Sequence, residues 1–69
     1  MDKMQKLSIV IEHWIEHNEA HTVEYQKWAQ TAGEMGLKLV KEEIEEAIGK
    51  LLQSNSHLEK ALKALKSPL

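Results

Sequence analysis

The stretch Gly33-Glu34-Met35-Gly36-Leu37-Lys38 decides the fold, because it interrupts a sequence whose periodicity is helical throughout. A glycine followed by an apolar residue is typical of a Schellman motif, in which the glycine adopts a left-handed conformation and ends a helix. We therefore predict that one helix ends near Met35, with Gly33 as an earlier alternative end. A second helix is predicted to begin at Lys38.

Both segments that flank this turn are predicted to be helices. Asp2 followed three residues later by Gln5 forms a capping-box pattern, so the first helix is predicted to span about residues 3–35. The second is predicted to span about residues 38–66 and to end at Ser67-Pro68. The apolar stripe of the first helix is predicted to contain Leu7, Val10, Ile11, Trp14, His21, Tyr25, Trp28 and Ala32. The stripe of the second is predicted to contain Leu37, Val40, Ile44, Ala47, Ile48, Leu51, Leu58, Leu62 and Leu65.

These elements predict an all-α fold, with one domain over residues 1–69 that forms an antiparallel two-helix hairpin. A hairpin has a single contact seam, so apolar residues such as Trp14 and Trp28 would stay half exposed in a monomer. Exposed apolar surface on that scale is typical of an interface. We therefore predict a homo-oligomer, most economically a two-fold dimer that forms a four-helix bundle, with a different protein partner as the alternative.

Composition excludes several classes of protein. The 69 residues contain no cysteine, which excludes disulfides, zinc–thiolate sites and thiol chemistry. All nine basic residues are lysine and the net charge is −2, so a nucleic-acid partner is not expected. The longest apolar run, Ile9-Val10-Ile11, is far shorter than the ~20 residues of a membrane span, and no signal-peptide pattern is present. The expected location is the cytoplasm.

Three of the four histidines, His13, His17 and His21, follow one another at intervals of four residues on the first helix. Imidazole is the commonest protein metal ligand, and this spacing places neighbouring side chains on one helix face. The three histidines together span about 12 Å along the helix axis. Two adjacent histidines can therefore bind one ion more easily than all three can. With Glu24 as a further ligand, the predicted metal set is His13, His17, His21 and Glu24. The predicted cofactor is a divalent ion of nickel, zinc or copper, and otherwise none.

A polar core layer is the alternative interpretation of the same histidines. With the turn near Gly36, position n of one helix should lie opposite roughly position 73 − n of the other. His17 and Asn18 then face Ser54, Asn55 and Ser56, so both helices turn polar at one height. Such a layer can fix helix register and oligomeric state. His21 is predicted nearest the centre of the stripe and His57 on the solvent side. A pH-sensitive contact is a third interpretation of the histidines.

Catalytic motifs are missing from the sequence. Neither the di-iron pattern Glu-x-x-His nor the metalloprotease pattern His-Glu-x-x-His occurs, and there is no glycine-rich phosphate loop or nucleophile motif. A two-helix hairpin also offers no enclosed pocket for a substrate. We therefore predict a binding or structural module and not an enzyme.

The segment from His13 to His21, followed by Tyr25, the pair Trp28-Ala29 and Gly36-Leu37, resembles a small bacterial and archaeal helical module. In that module a His-Trp-x-x-His-Asn-x-x-His segment precedes an aromatic residue, a Trp-Ala pair and a second helix. The resemblance covers nearly the whole chain and carries no assigned activity. It implies a helical hairpin, and an association with metal-handling proteins. His13, His17 and His21 match its pattern.

Overall fold

The computed structural model describes residues 2–66, which form two α-helices joined by a tight turn. Helix α1 spans Lys3–Glu34 and helix α2 spans Lys38–Lys66. The fold is therefore an all-α helical hairpin. Helix α1 ends one residue before the predicted limit, and the predicted end of α2 at Ser67-Pro68 lies outside the described residues.

The start of α1 is closed by the predicted capping box. The Asp2 carboxylate accepts a hydrogen bond from the Gln5 backbone N–H at 2.8 Å, and the Gln5 side chain accepts one from the Asp2 backbone N–H at 3.2 Å. This reciprocal pair provides a partner for one backbone donor that the first helical turn leaves free and holds the entry of the chain.

The turn between the helices is a Schellman motif. Gly36 has a φ of 76°, its N–H donates to the Gly33 carbonyl at 3.0 Å, and the Leu37 N–H donates to the Ala32 carbonyl at 2.9 Å. These are the two hydrogen bonds that define the motif. The chain does not end α1 at Gly33. A Cβ added there would lie 3.0 Å from Cδ of Lys41, so Gly33 is where α2 approaches α1 closely.

The seam between the helices follows a heptad pattern. The residues with reduced exposure recur at alternating steps of three and four, as in a coiled coil. On α1 they are Ser8, Ile11, Ile15, Asn18, Thr22, Tyr25, Ala29 and Ala32. On α2 they are Lys41, Ile44, Ile48, Leu51, Asn55, Leu58, Leu62 and Leu65, and Thr31 and Ala47 lie just outside the pattern.

This seam differs from the predicted stripe of α1. Of the predicted members only Ile11, Tyr25 and Ala32 lie in it, whereas Leu7, Val10, Trp14, His21 and Trp28 are exposed. The prediction of His21 at the stripe's centre was wrong for this seam, because Thr22 is buried in its place. The stripe was placed on the bulkiest apolar residues of α1. The helices instead approach along short side chains, Thr22, Ala29 and Ala32, which permit close contact.

The hydrophobic core of the hairpin is small. Its buried apolar residues are Ile11, Ala29, Ala32 and Ile48, and none of the described side chains is completely buried. The molecule measures 51 × 21 × 11 Å, so it is one helix thick in its shortest dimension. Each helix therefore has two further sides in addition to the seam, and on α1 most of the large apolar side chains lie on those sides.

Candidate functional site

The centre of the seam is a pair of asparagines that face each other across the hairpin. Asn18 donates from Nδ2 to Oδ1 of Asn55 at 2.9 Å, and Asn55 donates from Nδ2 to the Ile15 carbonyl at 3.2 Å. The Thr22 hydroxyl donates to the Asn18 carbonyl at 2.9 Å. Asn55 is 7% exposed, so this is a buried and hydrogen-bonded polar layer. It joins the two residues that the predicted register places opposite each other.

The other predicted members of the polar layer, His17, His21 and Ser54, are exposed. They border the buried asparagines on one side of the hairpin. There, Trp14, His17, Asn18, His21, Ser54 and Leu58 line a shallow surface depression. The polar layer is therefore continuous from the seam to the surface, with amides inside and imidazoles outside.

The two imidazoles of His17 and His21 are in direct contact. Their Nε2 atoms lie 2.7 Å apart and their ring centroids 4.5 Å apart, with 34° between the ring planes. At this distance the Nε2–H of one ring donates a hydrogen bond to Nε2 of the other, and the tautomer of each ring decides which one is the donor. His13 lies further out: its ring is edge-on to that of His17, with centroids 6.0 Å apart. The structure thus selects the pair His17–His21 from the three histidines.

The predicted ligand set is not assembled by one chain. Within residues 2–66 no group of three or more His, Cys, Asp or Glu side chains lies close enough to hold a metal ion. Glu24 shares a shallow depression with His13, His17 and His21, and His57 on α2 is exposed. Closed zinc sites in proteins have four ligands. An ion on the His17–His21 pair would therefore need ligands from another molecule. The four-residue set itself stays a prediction.

Helix α1 carries a second heptad stripe on its exposed surface, called here the outer stripe: Leu7, Val10, Trp14, His17, His21 and Trp28. Its positions each precede a seam position by one residue. One residue corresponds to a rotation of about 100° around a helix, so the outer stripe faces nearly at right angles to the seam. Trp14 is 48% exposed and Trp28 is 55% exposed. Sequence reasoning found these residues but merged the two stripes into one.

The outer stripe and the adjoining side of α2 form one surface, called here the open face. At one end Trp28 borders an apolar groove with Val40, Ile44 and Ala47. At the other end Trp14 lies beside Leu58, and His17, His21 and Ser54 lie between the two ends. The open face is therefore apolar at both ends and polar in the middle.

The opposite side of the hairpin is different in character. The depression there is lined mainly by polar and charged residues: Gln26, Gln30, Glu34, Lys41 and Glu45, with Ala29, Gly33 and Ile48 at its base. The two tryptophans and the apolar groove thus lie on the open face, whereas the exposed apolar residues Ile9, Val23 and Leu52 lie outside it. Neither α1 nor α2 contains a segment of the length and hydropathy that a membrane-crossing helix needs.

Fold and surface together define the class of protein: a small all-α hairpin with a buried asparagine layer and two exposed tryptophans on one face. Residues 7–65 match the model of a domain of unknown function (DUF8180), and the chain belongs to that family. This family agrees with the predicted resemblance to a small helical module. Comparison with curated proteins and with solved structures gave no match.

Proposed function

We propose that this chain is a non-catalytic self-association module, in which the open faces of two copies pack together to form a four-helix bundle. The main observation in support of this proposal is the rotation of about 100° around α1 between the seam and the outer stripe. In a square four-helix bundle each helix contacts two neighbours at about 90° to each other. Helix α1 carries two heptad stripes in that relation, and α2 occupies only one of them.

The exposed tryptophans support an interface of substantial area. A tryptophan side chain offers up to about 250 Å², so exposures of 48% and 55% leave roughly 120–140 Å² on each of Trp14 and Trp28. A dimer would contain four of these side chains and would remove about 500 Å² from water through them alone. That is close to a third of the ~1,600 Å² that a standard stable interface buries.

The order of residues along the outer stripe supports a second copy as the occupant of the open face. Trp14 and Trp28 lie seven positions before and after His21, Leu7 lies fourteen positions before it, and Met35, the residue that follows the end of α1, lies fourteen positions after it. A two-fold interface requires a surface that is complementary to itself. An antiparallel crossing of two α1 helices at His21 would place Trp14 beside Trp28 of the partner subunit.

The test is the solution mass of adjacent lysine variants, measured by sedimentation equilibrium over a range of concentrations. Val10→Lys introduces a charge on the open face, at a residue that is 40% exposed. Ile9→Lys introduces it on the neighbouring residue, which is 51% exposed and lies outside both stripes. We expect the native chain and Ile9→Lys to be dimers and Val10→Lys to be a monomer. A native chain that stays monomeric at high concentration would refute self-association and leave the open face to a different protein.

Binding of a divalent transition metal by the histidine face is a second candidate function. The observation in its favour is the contact of 2.7 Å between Nε2 of His17 and Nε2 of His21, two nitrogens that converge on one point. Nickel, zinc and copper all accept imidazole ligands. The test is the melting temperature of tag-free protein with each ion. A rise that disappears in His17→Ala supports metal binding, and no change with any of the three ions contradicts it.

A further inference from the structure

We propose that two copies of this chain form one metal site between them, with four imidazole ligands: His17 and His21 from each copy. The ligand is a single divalent transition ion, zinc in the first instance. This inference rests on the proposed self-association. It goes further by stating which residues of the second copy complete the site and in what ratio the ion binds.

The His17–His21 pair has the geometry of half a zinc site. Two nitrogens bound to tetrahedral zinc at about 2.0–2.1 Å lie about 3.3 Å from each other. The observed separation of the Nε2 atoms is 2.7 Å, so the rings need to open by only about half an ångström. Both rings are exposed, and among the described residues neither ring has a hydrogen-bond partner other than the opposite ring. Small side-chain rotations are therefore sufficient to admit an ion.

The third and fourth ligands are not supplied by the same chain. His13 is edge-on to His17 and belongs to neither the seam nor the outer stripe, so its ring lies to one side of the open face. No third ligand joins the pair within the described residues. A pair of histidines alone leaves two positions of tetrahedral zinc unfilled, and a second identical pair fills them.

A two-fold axis close to the one that fits the tryptophans brings the two histidine pairs together. An axis midway between His17 and His21, at position 19 and so about 3 Å along α1 from His21, places His17 opposite His21 of the partner subunit. Within each chain, Nε2 of His17 already lies 2.7 Å from Nε2 of His21. The four nitrogens then surround one point on the axis, which lies in the polar band of the open face between the apolar ends. The apolar contacts would exclude water from both sides of the ion.

The first part of the experiment measures stoichiometry. Tag-free protein, stripped of metal by a chelator, is titrated with zinc sulfate and followed by calorimetry and native mass spectrometry. We expect one zinc per two chains and a zinc-dependent rise in melting temperature. One zinc per monomeric chain would overturn the inference.

The second part assigns the ligands. We expect zinc binding to be lost in His17→Ala and in His21→Ala and kept in the matched control His57→Ala, because His57 lines neither of the two depressions that His17 and His21 line. Loss of binding in His13→Ala with retention in His21→Ala would place the ion on the other histidine pair and overturn the inference.

Sedimentation of the same samples with and without chelator separates this inference from the proposed self-association. A dimer that binds no zinc overturns the metal site and leaves self-association intact. A monomer that dimerises only with zinc supports the metal site and contradicts metal-independent assembly. A monomer under both conditions overturns both proposals.

Discussion

Replacing Asn55 by alanine should destabilise the hairpin by about 2 kcal/mol. The substitution removes two hydrogen bonds, one accepted from Asn18 and one donated to the Ile15 carbonyl. Each hydrogen bond contributes about 0.5–1.5 kcal/mol net. The Ile15 carbonyl remains bonded within its helix, whereas the Asn18 amide loses its partner across the seam. Asn55 is 7% exposed, so water replaces the lost partner poorly.

Urea denaturation followed by circular dichroism measures this loss. With a slope of about 1–2 kcal/mol per molar, 2 kcal/mol lowers the midpoint by about 1–2 M. The control is Ser56→Ala, one position further on, where the side chain is exposed and the gain in helix propensity is similar. Equal midpoints for the two variants would refute the argument that the asparagine layer stabilises the seam.

A double variant separates a pairing effect from a general effect of the substitution. Asn18→Leu with Asn55→Leu removes both polar groups and leaves no unpaired amide, so it should be more stable than Asn55→Leu alone. Its register should be less well defined, because apolar pairs at this level allow neighbouring alignments of the helices. Stability losses that simply add in the double variant would contradict the direct pairing of the two residues.

Further predictions concern the turn, the helix interior, the cap and the open face. Gly36→Ala should lower the free energy of unfolding by about 1–2 kcal/mol, because φ is 76° at this position. Gly49→Ala lies within α2, where an added Cβ meets open space, and should raise it by about 0.5–1 kcal/mol. Thermal denaturation measures both changes, and equal effects would contradict the role of the turn. Asp2→Ala should cost about 1 kcal/mol through loss of the capping box, and an unchanged melting temperature would contradict this. Val10→Lys should shift the sedimentation equilibrium to monomer while Ile9→Lys does not, and dissociation by both would point to general charge repulsion.

The sequence was sufficient for the helix boundaries and the register because both depend on local signals. The glycine at position 36 and the apolar residue after it specify the turn, and a tight turn between two long helices leaves little freedom in their alignment. The pairing of Asn18 with Asn55 was accordingly predictable.

The choice of seam was not predictable, because α1 has two heptad stripes one residue apart. Hydrophobicity alone favours the stripe with Trp14 and Trp28, since those side chains are the largest. Close approach of the helices favours the stripe with Ala29 and Ala32. Only the packing of the whole hairpin decides whether α2 contacts the stripe with the largest side chains or the stripe that allows the helices to approach closely. The contact between His17 and His21 depends on side-chain rotamers, so spacing could suggest it but could not select it from the two adjacent pairs.

The two adjacent stripes of α1 have a consequence for how freely this helix can vary. In every seven residues, two positions belong to the seam and two to the outer stripe, which leaves three with neither constraint. Those three include the sites of Ile9, His13 and Val23, all of them exposed. In a saturation-mutagenesis screen, tolerance along α1 should rise and fall with the heptad, and His13 should accept substitutions that His17 and His21 do not. Adjacent histidines of one motif would then differ in tolerance because of the helix side that each occupies.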